Sequence, residues 1–267
     1  MNVPLVSSII LLYLTVFTNI NATECTPWSI HYQHLLMDKA GSQIKALSSY
    51  PSLKYPNSKH QHILRRYPEG KVLLFGYGSL INAESAGWSV SEKAVKSMRP
   101  VIAFGFKRIF NYHAAKLSSK WGINLPKNER AMLNLEPTTT FNHIINGVVM
   151  EISHEDLHKL IQREEGYDLV PMLVADWKDV ISQNPNVKIE IAYTFLVPSG
   201  LRNGVKYTEA KHYPVRKYLY AVQEGAAVFG PQFLKCWNST TYLGDGTTPI
   251  SQWDEKTFSG ILDSREP

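Results

Sequence analysis

The strand-like segments of this sequence outnumber its helical segments and do not alternate strictly with them. Helices are predicted over 30–47, from Ser153 to Gly166 and over 213–230. The predicted strands lie in the segments 72–81 (running into a tight loop), 101–112, 131–137, 144–152, 167–177 and 187–197. A doubly wound parallel sheet requires regular alternation, so the order instead predicts an α+β fold with a mixed sheet that is strongly curved or closed.

The composition excludes several classes of protein. Hydrophobic residues make up 44% of the 267 residues, which is enough apolar surface to build a sizeable core and excludes a disordered tail. Two cysteines in a chain of this length exclude a disulfide scaffold. The net charge of +5 is mild and the basic residues are scattered, so we expect no nucleic-acid partner.

Residues 1–22 have the pattern of a cleaved signal peptide. The segment Val3–Phe17 is uncharged, mostly apolar and shorter than a membrane span normally is, and Ala22 offers a small residue for cleavage. No Lys or Arg precedes the apolar run, which leaves a retained anchor or a buried helix as alternatives. We therefore expect a secreted, extracellular protein with no stable membrane anchor after cleavage.

Secretion gives meaning to two further features. The Asn-Ser-Thr triplet that begins at Asn238 becomes a glycosylation acceptor. Cys25 and Cys236 become a plausible disulfide, with two separate thiols as the alternative. The bridge would join an N-terminal arm (23–70) to a C-terminal extension (231–267).

The glycines that follow the first predicted strand match no nucleotide-binding or hydrolase motif. A dinucleotide fingerprint needs a third glycine where Ile81 stands, and no Gly-Lys-Ser/Thr follows to form a phosphate loop. A nucleophile elbow around Ser79 fails as well, because Ser79 directly follows Gly78 and Ile81 replaces the last glycine.

A second short motif, His154-Glu155-x-x-His158, matches the zinc-binding pattern of metalloproteases. The extended form with a third histidine is absent. Both histidines also lie on the flank of the predicted helix, towards its polar side. We therefore expect no metal at this position and keep a zinc protease as a minor alternative.

Glu164 is the unusual residue of the same helix. At about 100° per residue it falls near the middle of the apolar face that Leu157 and Leu160 define, whereas Glu165 is rotated towards solvent. A buried carboxylate is costly unless it lines a pocket or is paired. Glu164 is therefore a candidate site residue, with a buried ion pair to Arg130 as the alternative.

Taken in order, five segments resemble the γ-glutamylcyclotransferase-like superfamily. The resemblance covers roughly residues 71–230. The segments are Phe75–Leu80 in the strand-to-loop turn, Gly105–Arg108, Asn146–Val149, Leu160-x-x-Arg163-Glu164 and Gly166-Tyr167.

The resemblance implies a fold, an activity and a substrate class. The implied fold is a small mixed β-barrel flanked by helices. Members of the family convert a small γ-glutamyl compound into 5-oxoproline and the freed amine, without metal or cofactor. The α-amine of the substrate attacks its own γ-carbonyl, and a carboxylate beside it removes the proton as general base and can return it as general acid.

The resemblance also implies site residues. Glu164 matches the catalytic glutamate, although a shorter interval to Tyr167 than in the glutathione-acting branch leaves Glu165 as an alternative. Tyr167 lines the pocket or is an ordinary strand aromatic. Asn82 stands near the loop where that branch has an aromatic residue, which weakens glutathione as the substrate. The matching substrate loop consists of Phe75, Gly76, Tyr77, Gly78, Ser79 and Leu80.

The same fold can also serve a different class of function. A catalytically silent, secreted binding protein is the main alternative to an enzyme, since a fold does not fix an activity.

Overall fold

The part of the chain that the structure describes contains two β-sheets. The computed structural model describes residues 28–54, 63, 65–67, 70–113, 129–138, 143–164, 167–197 and 213–253. The strands are β1 (Val72–Gly76), β2 (Arg99–Phe104), β3 (Phe106–His113), β4 (Ala131–Pro137), β5 (Ile144–Ile152), β6 (Asp168–Asp176), β7 (Ile189–Leu196) and β8 (Thr241–Tyr242). Strands β1, β5, β2, β6 and β7 close into a barrel in that order. Neighbours run antiparallel except β1 and β7, which pair in parallel where Leu74 lies opposite Tyr193. The closed mixed sheet confirms the predicted α+β barrel.

The second sheet has the order β4-β3-β8 and lies beside the barrel. The predicted β-rich segment 101–112 is in fact two strands in two sheets, because Gly105 turns the chain with a φ of 80°, a conformation that favours glycine. Strand β3 pairs with β4 with a shift between Ile109 and Tyr112, so two residues of β3 face one residue of β4. Such a β-bulge re-aims the side chains that follow it.

Seven α-helices surround these sheets in the described residues. They are α1 (Ile30–Leu47), α2 (Ala83–Gly87), α3 (Glu92–Lys96), α4 (His154–Arg163), α5 (Trp177–Ile181), α6 (Arg216–Ala227) and α7 (Pro231–Ser239). The prediction of helix 30–47 is confirmed. The helix predicted over 213–230 is shorter, because Gly230 adopts a φ of 102° and Pro231 then starts a new helix.

Both flanks of the family-like segment pack against the barrel. Helix α1 lies against β6 and β7 and buries Leu36 and Ala40 completely. Leu53 pairs with Leu169 of β6 through two backbone hydrogen bonds of 2.8 and 2.9 Å. At the other flank Trp237 of α7 is fully buried in the same core. The domain boundaries at residues 71 and 231 stay predictions.

Several predictions concern residues outside the described ranges. Residues 1–27 lie outside them, so the signal peptide and the pairing of Cys25 stay predictions. Cys236 is buried in α7. Asn238, on the same helix, accepts a hydrogen bond of 2.9 Å from the side-chain amide of Gln223, and its glycosylation stays a prediction. None of the helices in the described ranges is long and apolar enough to cross a membrane.

Candidate active site

Helix α4 carries Glu164 to the site. Ser153 and Asp156 form a capping box that fixes the start of the helix. At the other end the Glu164 N–H donates to the Leu160 carbonyl at 2.8 Å, so helical hydrogen bonding continues as far as Glu164. The carboxylate therefore stays on the buried side of the helix, and its side chain is 18% exposed. Glu165 lies outside the described residues.

Two opposing effects act on the Glu164 carboxyl. Burial raises its pKa, and the guanidinium of Arg163 lowers it, with burial as the larger effect. Arg163 Nε lies 3.3 Å from Glu164 Oε1. The net result is a raised pKa, which suits a group that must both take up and release a proton near neutral pH.

The glycine turn follows β1 and faces helix α6. Here "glycine turn" means residues 76–81, which end in a 3-10 turn at Ser79–Ile81. A Cβ atom added to Gly78 would overlap the hydroxyl of Tyr218, and one added to Gly76 would lie 2.8 Å from the Leu80 Cβ. Both positions therefore require glycine for lack of space and not for backbone conformation, since neither has a positive φ.

Tyr218 is a site residue that the sequence reasoning missed. Its hydroxyl makes hydrogen bonds with the backbone of Ser79 and Leu133, and both bonds lower its pKa. That direction identifies the backbone groups as N–H donors, since donors stabilise the phenolate. Burial is the largest effect and raises the pKa of Tyr218, and the nearby charge of Glu164 raises it further. Tyr218 thus connects the glycine turn, strand β4 and the carboxylate.

Tyr167 and Tyr218 lie near Glu164, and Tyr77 and Tyr112 lie near Tyr167. Burial raises the pKa of Tyr167 well above its ordinary value, and Tyr112, Tyr77, Glu164 and Tyr218 all raise it further. Tyr112 and Tyr167 form an edge-to-face pair with ring centroids 5.1 Å apart. Tyr112 comes directly after the β3 bulge, which explains how an additional aromatic side chain reaches the site.

The residues of the predicted substrate loop divide into two groups. Phe75 and Leu80 have buried side chains within the core, and the Phe75 ring occupies the space that a side chain at position 147 would need. Gly78 and Ser79 lie next to Tyr218, and Tyr77, which is also buried in the core, lies near Tyr167. Tyr167 joins this second group.

The two histidines of the zinc-like motif have separate environments. His154 Nε2 lies 3.1 Å from the Tyr67 carbonyl oxygen, and His158 Nε2 lies 3.1 Å from the Gln162 amide. Glu155 forms an ion pair with Lys159 at 2.7 Å. Across the described ranges, no group of three or more His, Cys, Asp or Glu side chains is placed to hold a metal ion.

Comparisons with known proteins give likenesses in structure alone. No protein-family model matches the chain, and no curated protein matches its sequence. The similar solved structures include a gamma-glutamyl cyclotransferase, at 13% identity and a TM-score of 0.43, covering 73% of this chain and 99% of that one. An uncharacterised human protein has 14% identity and a TM-score of 0.41, with coverages of 73% and 99%.

A third similar structure comes from yeast. It is a gamma-glutamyl cyclotransferase specific to glutathione, with 13% identity and a TM-score of 0.42, covering 70% of this chain and 98% of that one. At such values the likeness says nothing about activity, which has to come from the residues of the site. The solved structures to which this chain is similar thus include two gamma-glutamyl cyclotransferases.

Proposed function

We propose that this protein is an enzyme of the γ-glutamylcyclotransferase type, which releases 5-oxoproline and a free amine or amino acid from a small γ-glutamyl compound. One observation carries the proposal: Glu164, whose side chain is only 18% exposed, and the glycine turn share two neighbours, Arg163 and Tyr218. This arrangement supplies a base next to a surface that a substrate backbone can approach closely. The resemblance of the sequence segments supports the same reaction.

Glu164 is the general base and then the general acid. The α-ammonium of the substrate gives a proton to the Glu164 carboxylate, and the freed amine attacks the γ-carbonyl carbon. A five-membered ring closes and a tetrahedral intermediate with a negatively charged oxygen forms. The bond between the γ-carbon and the leaving nitrogen then breaks as Glu164 returns the proton to that nitrogen, and the ring nitrogen gives its second proton to the departing amine or to solvent. Glu164 ends in its starting state, so the reaction needs no cofactor.

Tyr218 stabilises the intermediate. The hydroxyl of a tyrosine can donate one hydrogen bond. Directed at the γ-carbonyl oxygen, this bond strengthens as negative charge develops there. The raised pKa of Tyr218 keeps the proton on the oxygen at neutral pH. The crowded glycine turn, in turn, holds the glutamyl chain folded for ring closure.

A product assay tests the proposal. Purified protein is incubated with γ-glutamyl-alanine, γ-glutamyl-ε-lysine and glutathione, and 5-oxoproline is quantified. Glu164→Gln is expected to lower the rate by roughly 10²–10⁴-fold with folding intact. Glu165→Gln is the matched control and keeps its activity.

Three outcomes would contradict parts of the proposal. Folded protein that forms no product from any member of the panel argues against the enzyme, and binding without turnover then favours a silent binding protein. Loss of activity in Glu165→Gln instead of Glu164→Gln would move the base by one residue. Stoichiometric zinc with chelator-sensitive activity would favour the protease alternative.

We also propose that the enzyme acts outside the cell. The support is the sequence pattern of residues 1–22. N-terminal sequencing of protein secreted by a eukaryotic host should then begin at Thr23. Mass spectrometry of unreduced peptides should find Cys25 joined to Cys236 and a glycan on Asn238. Retention of residues 1–22 would contradict secretion by this route.

A further inference from the structure

Arg163 contacts both the candidate base and the glycine turn. Its Nε lies 3.3 Å from Glu164 Oε1, and its Nη2 donates to the Ser79 hydroxyl at 3.0 Å. Its Nη1 donates to the Ser89 hydroxyl at 2.6 Å and weakly to the Ser85 carbonyl at 3.5 Å. One guanidinium therefore joins the end of α4, the glycine turn and the segment around α2.

We propose that Arg163 is a positioning residue, whose guanidinium fixes the Glu164 carboxylate at a set distance from the glycine turn and so from the reacting amine of the substrate. The inference rests on the proposed function, because it assigns Arg163 a role through Glu164. It concerns a residue that itself touches no reacting atom.

The geometry of the guanidinium makes this role specific to arginine. Its three nitrogens lie in one plane at fixed angles, and here each nitrogen has a different partner. Moving the carboxylate relative to Ser79 would therefore break at least one of these bonds. Lysine carries the same charge on a single nitrogen and cannot hold three partners in a fixed plane.

The contact leaves one carboxylate oxygen for chemistry. Arg163 reaches Oε1, so the second oxygen, Oε2, lies outside this ion pair. The lone pairs of Oε2 are the ones that can take the proton of the substrate amine. Arg163 thus orients the carboxylate by one oxygen and presents the other.

Arg163 is also the charged group nearest to the carboxyl among the described residues that influence it. The titratable groups that lie near Glu164 from other elements are Tyr167, before β6, and Tyr218, on α6. Tyr77 in the glycine turn and Tyr112 on β3 lie near Tyr167. Burial raises the pKa of both Tyr167 and Tyr218, so these two side chains are neutral at physiological pH. Removing the Arg163 cation therefore lets burial raise the pKa of Glu164 further.

The test compares four variants with the wild type. Arg163→Gln removes both the positive charge and the planar guanidinium. Arg163→Lys keeps the charge alone, and Ser79→Ala removes one partner of the guanidinium. Lys159→Gln is the matched control, since it removes an exposed cation from the same helix one turn earlier. The readouts are kcat, KM and the pH dependence of kcat/KM, with circular dichroism and Tm to verify folding.

The expected results separate positioning from a merely structural role. Arg163→Gln lowers kcat on the order of 10- to 100-fold with a small change in KM. The acidic limb of its pH profile of kcat/KM moves to higher pH. Arg163→Lys restores the position of the limb but not the full kcat. Ser79→Ala lowers kcat without moving the limb, and Lys159→Gln behaves as the wild type.

Two results would overturn the inference while leaving the proposed function intact. One is an active wild type whose Arg163→Gln variant keeps both kcat and the acidic limb. The other is an Arg163→Lys variant with full kcat, which would reduce the role to charge. If Arg163→Gln fails to fold, Arg163→Lys and Ser79→Ala decide the question by kcat.

An inactive wild type sinks the proposed function instead. The coupling of the two side chains is then still measured by ¹³C NMR titration of Glu164 in the wild type, Arg163→Gln and Lys159→Gln. A Glu164 titration that is the same in Lys159→Gln and Arg163→Gln would overturn the coupling itself.

Discussion

Arg108 and Glu164 are both charged residues inside this protein, but their surroundings differ. Arg108 on β3 is fully buried. Its guanidinium donates to the Thr241 hydroxyl at 2.7 Å and to the Trp237 carbonyl at 3.1 Å, stacks on the Trp237 ring and also donates to Asn146. Glu164 forms an ion pair with Arg163 at 3.3 Å and lies near Tyr167 and Tyr218.

The difference shows how the fold uses a buried charge. The donors of Arg108 are matched by acceptors from β5, α7 and β8, so removing it would leave those acceptors buried without their donors. The carboxylate of Glu164 is desolvated without equivalent compensation, and its raised pKa records the cost. Arg108 therefore stabilises the junction of the two sheets, and Glu164 reduces stability for the sake of reactivity.

The largest expected effect on stability comes from Arg108→Met. The variant leaves buried acceptors on Asn146 and Thr241 unsatisfied, so the free energy of unfolding should fall by about 3 kcal/mol or more. Arg99→Met is the matched control, since the Arg99 side chain is 33% exposed and pairs with Asp176 at 3.3 Å. Arg99→Met should lower the free energy of unfolding by less than about 1 kcal/mol.

Urea unfolding of both arginine variants measures this contrast. Equal losses at Arg108 and Arg99 would mean that the hydrogen bonds of Arg108 contribute no more than a surface pair. The comparison with Glu164 would then lose its basis.

A smaller loss is expected from Gly78→Ala. The added methyl group overlaps the Tyr218 hydroxyl, so overpacking should cost about 1–3 kcal/mol and should lower the rate by moving the glycine turn. The same substitution at Gly41, inside α1 with no atom within 4 Å of the new Cβ, should stabilise the protein by about 0.5–1 kcal/mol. Urea unfolding and the 5-oxoproline assay measure both variants.

A double variant sharpens this prediction. Tyr218→Phe removes the atom that the Gly78 methyl meets, so Gly78→Ala should cost less stability in that background. Equal costs in both backgrounds would show that the two residues do not compete for space.

Tyr218→Phe alone is expected to have a modest effect on stability and a larger one on rate. The N–H groups of Ser79 and Leu133 lose their acceptor, which costs about 1–2 kcal/mol. Loss of the donor to the carbonyl oxygen should lower kcat on the order of 10²-fold. Tyr220→Phe, a change to an exposed ring on the same helix, is the control and keeps kcat. An unchanged kcat in Tyr218→Phe would remove Tyr218 from the mechanism.

The sequence predicted the parts of the fold that have a local cause. Segments 131–137 and 144–152 are apolar runs bounded by turn residues, and both are strands with those bounds. Strand β8 was missed because two residues carry no pattern. The turn at Gly105, where the chain passes from the barrel to the second sheet, was missed because a continuous apolar run does not show a change of sheet.

Only part of the candidate site could be predicted from the sequence, for a related reason. Glu164 is noticeable because a carboxylate on an apolar helical face conflicts with its surroundings. Tyr218 lies on the apolar face of α6 beside Leu219 and Val222, where a tyrosine is an ordinary core residue. Its hydroxyl partners come from the glycine turn and β4, which are distant in the sequence. Only the three-dimensional structure brings them together.

The smallest expected effect is the dependence of stability on pH that Glu164 creates. Burial raises its pKa in the folded state, while the unfolded chain keeps the ordinary value of a glutamate. Below that ordinary value the carboxyl is protonated in both the folded and the unfolded protein, so its titration does not lower the stability. As the pH rises through the window between the two values, the unfolded state releases its proton first, so stability falls.

Glu164→Gln removes this dependence because glutamine does not titrate. The variant should therefore gain stability over the wild type as the pH rises above the ordinary pKa of a glutamate, about 4.3, with the gap becoming constant above the folded pKa. The hydrogen bonds that Ser153 and Ser91 donate lower the pKa of Asp156 despite its burial, which acts in the opposite direction. This contribution is the same in both proteins and cancels in the difference. Urea unfolding at several pH values measures the gap, and a gap independent of pH would mean that the fold tolerates the Glu164 charge as well as it tolerates that of Arg108.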